Sequence, residues 1–473
     1  MIGLRLSDVA NAVHGAVVPP EAADKVATGL VIDSRLVEPG LLFAALPGEH
    51  TDGHDHAAGA IAAGALAILG TRPASEPAIV VADVAAAMGA LAAHALRQIP
   101  QVRVIGLTGS SGKTSTKDLV AALLEPAGPT IAPPGSYNND LGVPLTALRA
   151  DASTRFLVLE MGARGRGHIA RLCAMAPPSI GVVLNVGSAH LGEFGSRQAI
   201  AESKGELAEA AGDVAVLNAD DPLVLAMASR TRARVVTFGE SPDAQVRAED
   251  VDLDPEGRAG FTLVTPQGRA RTRTRLALVG AHQVSNALAA AAVAVECGRT
   301  PSQVAQDLAT AGPRSRWRME VATTSSGLTV VNDAYNANPE SMRAALKSLA
   351  LMGKPASGRD ARRTIAVLGP MYELGPTTVD EHDALGRLAV RLGVDKVVVV
   401  GADAAAIHTG ARLEGAREEP VLAADVTAAL AVLRDEISPD QAANTVVLVK
   451  ASRAAGLERV AAALLTGAPE HAA

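Results

Sequence analysis

The sequence predicts an α/β protein of several units built on parallel sheets. Three observations carry that prediction. Short apolar runs alternate with helix-period segments along most of the chain. Several of those runs end in polar or acidic residues. At 473 residues the chain is too long for one core, so two to four units are expected. Hydrophobic residues are 48% and charged residues 20%, a globular balance that excludes wholesale disorder. Aromatic residues are 2%, so the cores must be aliphatic and stacking surfaces scarce. A net charge of −7 signals no basic surface and argues against a nucleic-acid partner. Cys173 and Cys297, far apart, imply neither a disulfide framework nor a cysteine metal site. No uncharged apolar stretch reaches the ~20 residues of a spanning helix. The first residues lack the apolar core of a signal peptide. A soluble, cytoplasmic protein without membrane insertion is the expectation.

Three blocks follow in order. Residues 1–100 hold the segment 31–35, the apolar run 41–46 and an alanine-rich helix over 84–97. Residues 101–313 alternate strands and helices, with strands expected at 102–107, 156–160, 180–185 and 214–218. Strands separated by helices imply a parallel sheet covered on both faces. A polar, β-like stretch over 235–275 and a helix over 282–296 complete that block, and Gly312-Pro313 closes it. Residues 314–473 repeat the pattern, with strands at 328–332, 364–368, 396–400 and 445–449 and helices including 340–351 and 454–465.

The sharpest chemical signal is Thr108-Gly109-Ser110-Ser111-Gly112-Lys113-Thr114, which leaves a strand and opens a helix. Glycines let backbone N–H groups close on phosphate oxygens, and the helix N-terminus favours negative charge. Lys113 would neutralise β- and γ-phosphate charge, and the Thr114 hydroxyl would bind Mg²⁺. The loop is shorter than the general phosphate-binding form, with Ser110 and Ser111 alone between Gly109 and Gly112.

In open α/β sheets ligands sit beyond the carboxyl ends of the strands. The second strand of the middle block ends in Glu160, the third leads to Asn185 and His190, and the fourth ends in Asn218 before Asp220 and Asp221. A carboxylate closing an apolar strand needs a partner, and Mg²⁺ beside a γ-phosphate would supply one for Glu160. His190 is the candidate second metal ligand on this edge. Lys204, among glutamates on an expected helix, acquires no role from spacing alone. In the third block Asp333 is placed to bind ribose hydroxyls, and Arg316 to stabilise phosphate charge during transfer. Lys450 and Arg453 put cations at the end of a further strand.

These residues together resemble the Mur ligase family, and the resemblance covers nearly the whole chain. It rests on Asp33-Ser34-Arg35, Asp52-Gly53-His54, the 108–114 loop, Asn138-Asn139, Leu159-Glu160-Met161-Gly162, 185–192, Lys204-Gly205-Glu206, and His282-Gln283 with Asn286. It continues with Ser315-Arg316-Trp317, 332–341 and 450–453. The short phosphate loop is this family's own form. The stretch 332–341 is the one most specific to members that add D-alanyl-D-alanine. The family has other residues where Pro370, Ala281 and Ser136-Tyr137 stand here.

The resemblance implies an N-terminal UDP-MurNAc-binding domain over 1–100, a central ATPase domain over 101–313 and a C-terminal Rossmann-like domain over 314–473. It implies ATP-driven amide formation between a UDP-MurNAc-tripeptide and D-Ala-D-Ala through an acyl phosphate. The sister activity, adding a diaminopimelate or lysine third residue, is disfavoured because no Asp-Asn-Pro-Arg motif occurs. Carried onto this chain, the family's metal ligands are Thr114, Glu160, His190 and Lys204, with two Mg²⁺ ions and Lys204 carbamylated. Lys113, Asn286, Arg316 and Asp333 join the loop in holding ATP. Ser34, Arg35, Asn138 and Asn139 match positions near the UDP-sugar. A monomer is expected.

Overall fold

The computed structural model describes residues 1–48, 51–187, 194–266, 270–356 and 359–467. Three large sheets, of five, nine and six strands, follow one another along the chain. The first is built from Ala16–Val18, Ala78–Val80, Ala67–Gly70, Leu41–Ala44 and Gly29–Val31 in that spatial order. Its edge pair is antiparallel and the rest parallel. The alanine-rich segment forms the helix Val84–Arg97, whose Asp83 side chain caps the Ala86 amide at 3.0 Å. Its Met88, Leu91, Ala92 and Ala95 fall at helical spacing on one buried face.

The middle sheet centres on β1 (Arg103–Thr108), flanked by β2 (Phe156–Glu160) and β3 (Ile180–Val183), with β4 (Val214–Asn218) beyond β3. All are parallel, and all read as near-continuous apolar runs because helices cover both faces. Register brings their tips level: Glu160 pairs across from Leu107, and Val183 from Thr108. The polar stretch expected over 235–275 resolves into Arg234–Gly239, Val246–Leu253, Arg258–Val264 and Arg271–Val279. The last three are antiparallel neighbours, so one face meets solvent and carries the arginines and acids that made the segment look polar.

Helix α1 (Lys113–Leu124) follows β1, α2 (Arg197–Ala210) precedes β4, and α3 (Gln283–Glu296) packs on α1. The eight residues 287–294 of α3 are fully buried and all but two are alanine, which lets the helices approach closely. The third sheet includes β5 (Thr329–Asn332), β6 (Arg363–Leu368) and β7 (Thr445–Lys450), with β7 between the others. Asn332 pairs with Val449, so Asp333 and Lys450 emerge side by side. Helix α4 (Pro339–Met352) and helix α5 (Thr378–Arg391) cover it. A capping box between Asn338 and Ser341 starts α4. No helix among the described residues is long and apolar enough to cross a membrane.

Candidate active site

The strand tips of the middle and third sheets face one another across a cleft of about 470 Å³. The 110–115 segment, Asn138, Asn139, Lys204, Asn286, Arg318, Asp333 and Lys450 all line it. The loop is tightly held. Asn185 Oδ1 accepts the amides of Ser110 at 2.9 Å and Ser111 at 3.0 Å, and Ser110 Oγ accepts the Gly187 amide at 2.9 Å. Gly112 has φ +81°, and a Cβ there would lie 2.4 Å from Asn286 Oδ1. Glycine is therefore required both by backbone and by space. Past it, the first amides of α1 have no preceding helical turn to bond, which leaves a dipole end aimed into the cleft. Lys113 Nζ donates to the Gly109 carbonyl at 2.7 Å. Burial pulls its pKa below the lysine range, Glu160 pulls it back up, and Arg318 pushes it down.

Glu160 is fully buried. Its Oε2 accepts from Ser136 Oγ at 2.9 Å, and Asn138 Nδ2 donates to that same hydroxyl at 2.9 Å. Its Oε1 meets no hydrogen-bond partner among the described residues. A buried, unpartnered carboxylate oxygen is costly unless a cation meets it. With the Thr114 hydroxyl it forms the hard-oxygen donor set that suits Mg²⁺. Thr108 is buried with its hydroxyl likewise unpartnered.

Lys204 lies on α2 with 4% of its surface exposed. Ile200, Ser203, Leu207 and Ala208 share its buried face. Burial pushes its pKa well below the ordinary lysine range, and the neighbouring Lys113 pushes it further. Both effects act against the charged form. Its companion Glu206 accepts the amides of Gly167 at 2.6 Å and Ala170 at 3.0 Å, anchoring a helix N-terminus rather than facing the cleft. His190 lies outside the described residues.

From the third sheet, Lys450 Nζ reaches Asp333 Oδ2 at 2.6 Å, and Asp333 Oδ1 accepts the Met319 amide at 3.1 Å. Burial lowers the Lys450 pKa while Asp333 raises it. Both Asp333 oxygens are thus engaged within the chain. The structure brings Arg318, not Arg316, to the phosphate loop. Arg318 Nη2 donates to Thr114 Oγ1 at 3.0 Å and its guanidinium stacks over Tyr335 at 4.2 Å. Arg316 is exposed and does not line the cleft. The cause is local: Trp317 and Met319 adopt φ +59° and +50°, left-handed conformations that turn the segment between the two arginines. Alternation within Arg316-Trp317-Arg318 was the available signal, and the backbone turn that decides between them is not readable from residue types.

Asn286 lines the cleft, accepts from Thr116 Oγ1 at 3.2 Å and donates to Gln283 Oε1 at 2.9 Å. Asn139 caps a helix by accepting the Gly142 amide at 2.9 Å. Ser34 and Arg35 are not among the cleft's lining residues. Arg35 is bound to its own Asp33 at 2.7 Å, and that pair holds the Asp33 carboxyl at about 2. Their neighbour Ile32 instead lines an adjoining groove with Tyr137, Trp317, Tyr335 and Arg453. Three of the chain's four tryptophan and tyrosine residues meet there, and Arg453 stacks on Trp317 at 4.1 Å. Ser136 and Arg318 are the site residues that sequence reasoning missed. His168, whose Nε2 donates to Asp140 Oδ2 at 3.2 Å, also lines the cleft and was not singled out.

Known proteins place this geometry. Three family models match in sequence: the Mur ligase family catalytic domain over residues 26–106, the Mur ligase middle domain over 107–294, and the Mur ligase glutamate ligase domain over 317–453. The UDP-N-acetylmuramoyl-tripeptide–D-alanyl-D-alanine ligase of Mycobacterium tuberculosis is 50% identical over 98% of both chains. The Escherichia coli enzyme of that name is 36% identical over 98% of this chain and 99% of its own. A crystal structure of MurF from Acinetobacter baumannii superposes with a TM-score of 0.87 at 32% identity, covering 98% of this chain and 99% of that one. MurF from Thermotoga maritima in complex with ADP gives 0.78 at 30% identity, covering 93% and 97%. On this evidence the chain belongs to the Mur ligase family.

Proposed function

We propose that this chain is an ATP-dependent, ADP-forming ligase that joins D-alanyl-D-alanine to a UDP-N-acetylmuramoyl-tripeptide. The observation that carries the reading is the cleft itself: phosphate loop, buried acid and cations from two facing sheets, in a chain half-identical over its length to ligases of that name. The structural relative solved with ADP supports the nucleotide. The three blocks divide the labour, with residues 1–100 and Asn138-Asn139 serving the UDP-sugar, 101–313 the ATP and 314–473 the acceptor dipeptide. The step belongs to the cytoplasmic assembly of a peptidoglycan precursor, and the enzyme works as a monomer.

The chemistry follows from charge. The tripeptide's terminal carboxylate and ATP are both anions, so their approach requires cations. Lys113, Arg318 and the α1 N-terminus supply fixed positive potential at the γ-phosphate. Thr114 and Glu160 would hold one Mg²⁺, and Lys204 as a carbamate, with His190, would hold a second. Bound there, the metal ions would supply charge neutralisation and orientation of the phosphates. The neutral amine of Lys204 is the form that adds CO₂: a C–N bond forms, one proton leaves, and an uncharged group becomes an anion. Within this frame the carboxylate oxygen attacks the γ-phosphorus and ADP departs with the bridging oxygen. The dipeptide amine then attacks the acyl carbonyl carbon, phosphate leaves, and one amine proton is released. Arg318 crosses from the third sheet to Thr114, so closure of the two sheets on ATP completes the phosphate contacts.

The test is mass spectrometry of the product formed from a panel of UDP-MurNAc-peptides and D-dipeptides, alongside phosphate release. Phosphate release that depends on UDP-MurNAc-tripeptide and D-Ala-D-Ala together, with a UDP-MurNAc-pentapeptide product, is expected. Equal turnover with the dipeptide precursor and diaminopimelate would transfer the chain to the sister activity.

A further inference from the structure

Lys117 is a buried ammonium that the chemistry above does not use. It lies one turn beyond Lys113 on α1 with 1% of its surface exposed. Its Nζ donates to the Pro133 carbonyl at 2.6 Å and to Ser315 Oγ at 3.2 Å, and pairs with Asp118 Oδ1 at 2.7 Å. Asp118 Oδ2 accepts the Ser315 amide at 2.9 Å. A buried pair costs desolvation energy and contributes little net stability, so a hydrophobic pair would serve packing equally well. What it specifies is geometry.

Three segments converge on that one charge. Helix α1 carries Lys113 and Thr114. The segment beginning at Pro133 leads, three residues on, to Ser136, the hydroxyl that fixes Glu160. Ser315 leads, three residues on, to Arg318, which meets Thr114. The 314–318 segment runs back along α1, pinned at each end and in the middle. Arg314 binds Glu125 at 2.8 Å beyond the helix's last residue, Ser315 binds Asp118, and Arg318 binds Thr114 in its first turn. Middle block and third block are therefore referenced to the same helix.

We propose that Lys117, with Asp118, is a positioning residue for magnesium-nucleotide binding. Through Pro133 and Ser136 it sets where Glu160 stands relative to Thr114. Through Ser315 it sets where Arg318 enters. The inference rests on the ligase reading only in that a magnesium nucleotide binds this cleft.

The test measures binding of Mn²⁺ with a non-hydrolysable ATP analogue, by calorimetry and electron paramagnetic resonance, in the full chain. Binding by the wild type tests the functional reading separately; its absence there would count against that reading. In Lys117→Met, metal affinity in the ternary complex should fall about tenfold or more, the scale for residues that orient a metal ligand. Ser136→Ala should produce a similar fall, and the double variant should lose little more than either alone, since both act through Glu160. Ser315→Ala combined with Arg318→Ala should likewise be less than additive on nucleotide affinity, a cycle that stands if Lys117→Met fails to fold. A purely structural Lys117 would lower Tm yet leave metal affinity unchanged, and additive cycles would say the same. Either result overturns the proposal.

Discussion

Lys204 gives the most searching prediction because two roles for it differ in sign. As an ordinary buried lysine it would be a liability: its desolvated amine sits beside Lys113, and both factors disfavour its charged form. Lys204→Met keeps the aliphatic stem and removes the polar head. Burying an amine without full compensation costs about 1–3 kcal/mol. In CO₂-depleted buffer, without nucleotide, the variant should therefore be as stable as the wild type or more stable by up to that amount. For a unit of this size that is a few degrees in Tm. Ligation should nevertheless fall by about 10²–10³-fold, the scale of losing a preorganised charge in the cleft. Short carboxylates should restore part of it. Scanning calorimetry reads the first effect and phosphate release the second. A ¹³CO₂-saturated sample should show a carbamate carbon signal in the wild type that Lys204→Met lacks. A variant that is fully active, or a wild type without that signal, would refute the carbamate role.

Arg318→Ala should lower kcat/KM about 100-fold, whereas Arg316→Ala should stay within about threefold; equal losses would return the phosphate role to Arg316. Glu160→Gln should abolish the gain in nucleotide affinity that Mg²⁺ confers, read by titration calorimetry, and an unchanged gain would remove Glu160 from the metal site. His382 accepts the Met371 amide at Nε2 and donates from Nδ1 to the Thr378 carbonyl, so it is neutral. Burial lowers its pKa below 6.5, although Thr378, Asp403 and Glu381 oppose that shift. The unfolded chain then binds the extra proton first, so this contribution to stability is complete above pH 6.5 and is lost as pH falls below it. His382→Gln, which keeps an acceptor for Met371, should show a shallower fall in Tm between pH 7.5 and 5.5; an identical slope would exclude His382 as the source.

Much of this architecture is visible in residue order alone. Strands 156–160, 214–218 and 396–400 and the helix over 84–97 have the bounds expected from apolar runs and turn residues. Buried parallel strands are short, apolar and sharply punctuated, which makes them easy to read. The phosphate loop is legible for a related reason: Gly112 must be glycine, and it stands with Lys113 and Thr114 between an apolar strand and a helix. What residue order hides is long-range pairing. Glu160 is plainly a strand-end acid, but its dependence on Ser136 is set by a contact across 24 residues. Asp333 reads as a free ligand, and its union with Lys450 spans 117 residues. Arg318 and Arg316 are indistinguishable by type, and the left-handed turns at Trp317 and Met319 separate them.

The chain's single tryptophan stands at the seam where all three sheets' loops meet, packed under the Arg453 guanidinium. Indole emission responds to a nearby cation and to the wetness of its surroundings. Every photon from this protein's tryptophan therefore originates at one joint, beside Arg318, the residue that meets Thr114. An unlabelled optical gauge thus stands where the three blocks meet, and stopped-flow fluorescence can read any change at that seam as substrates bind without altering a residue.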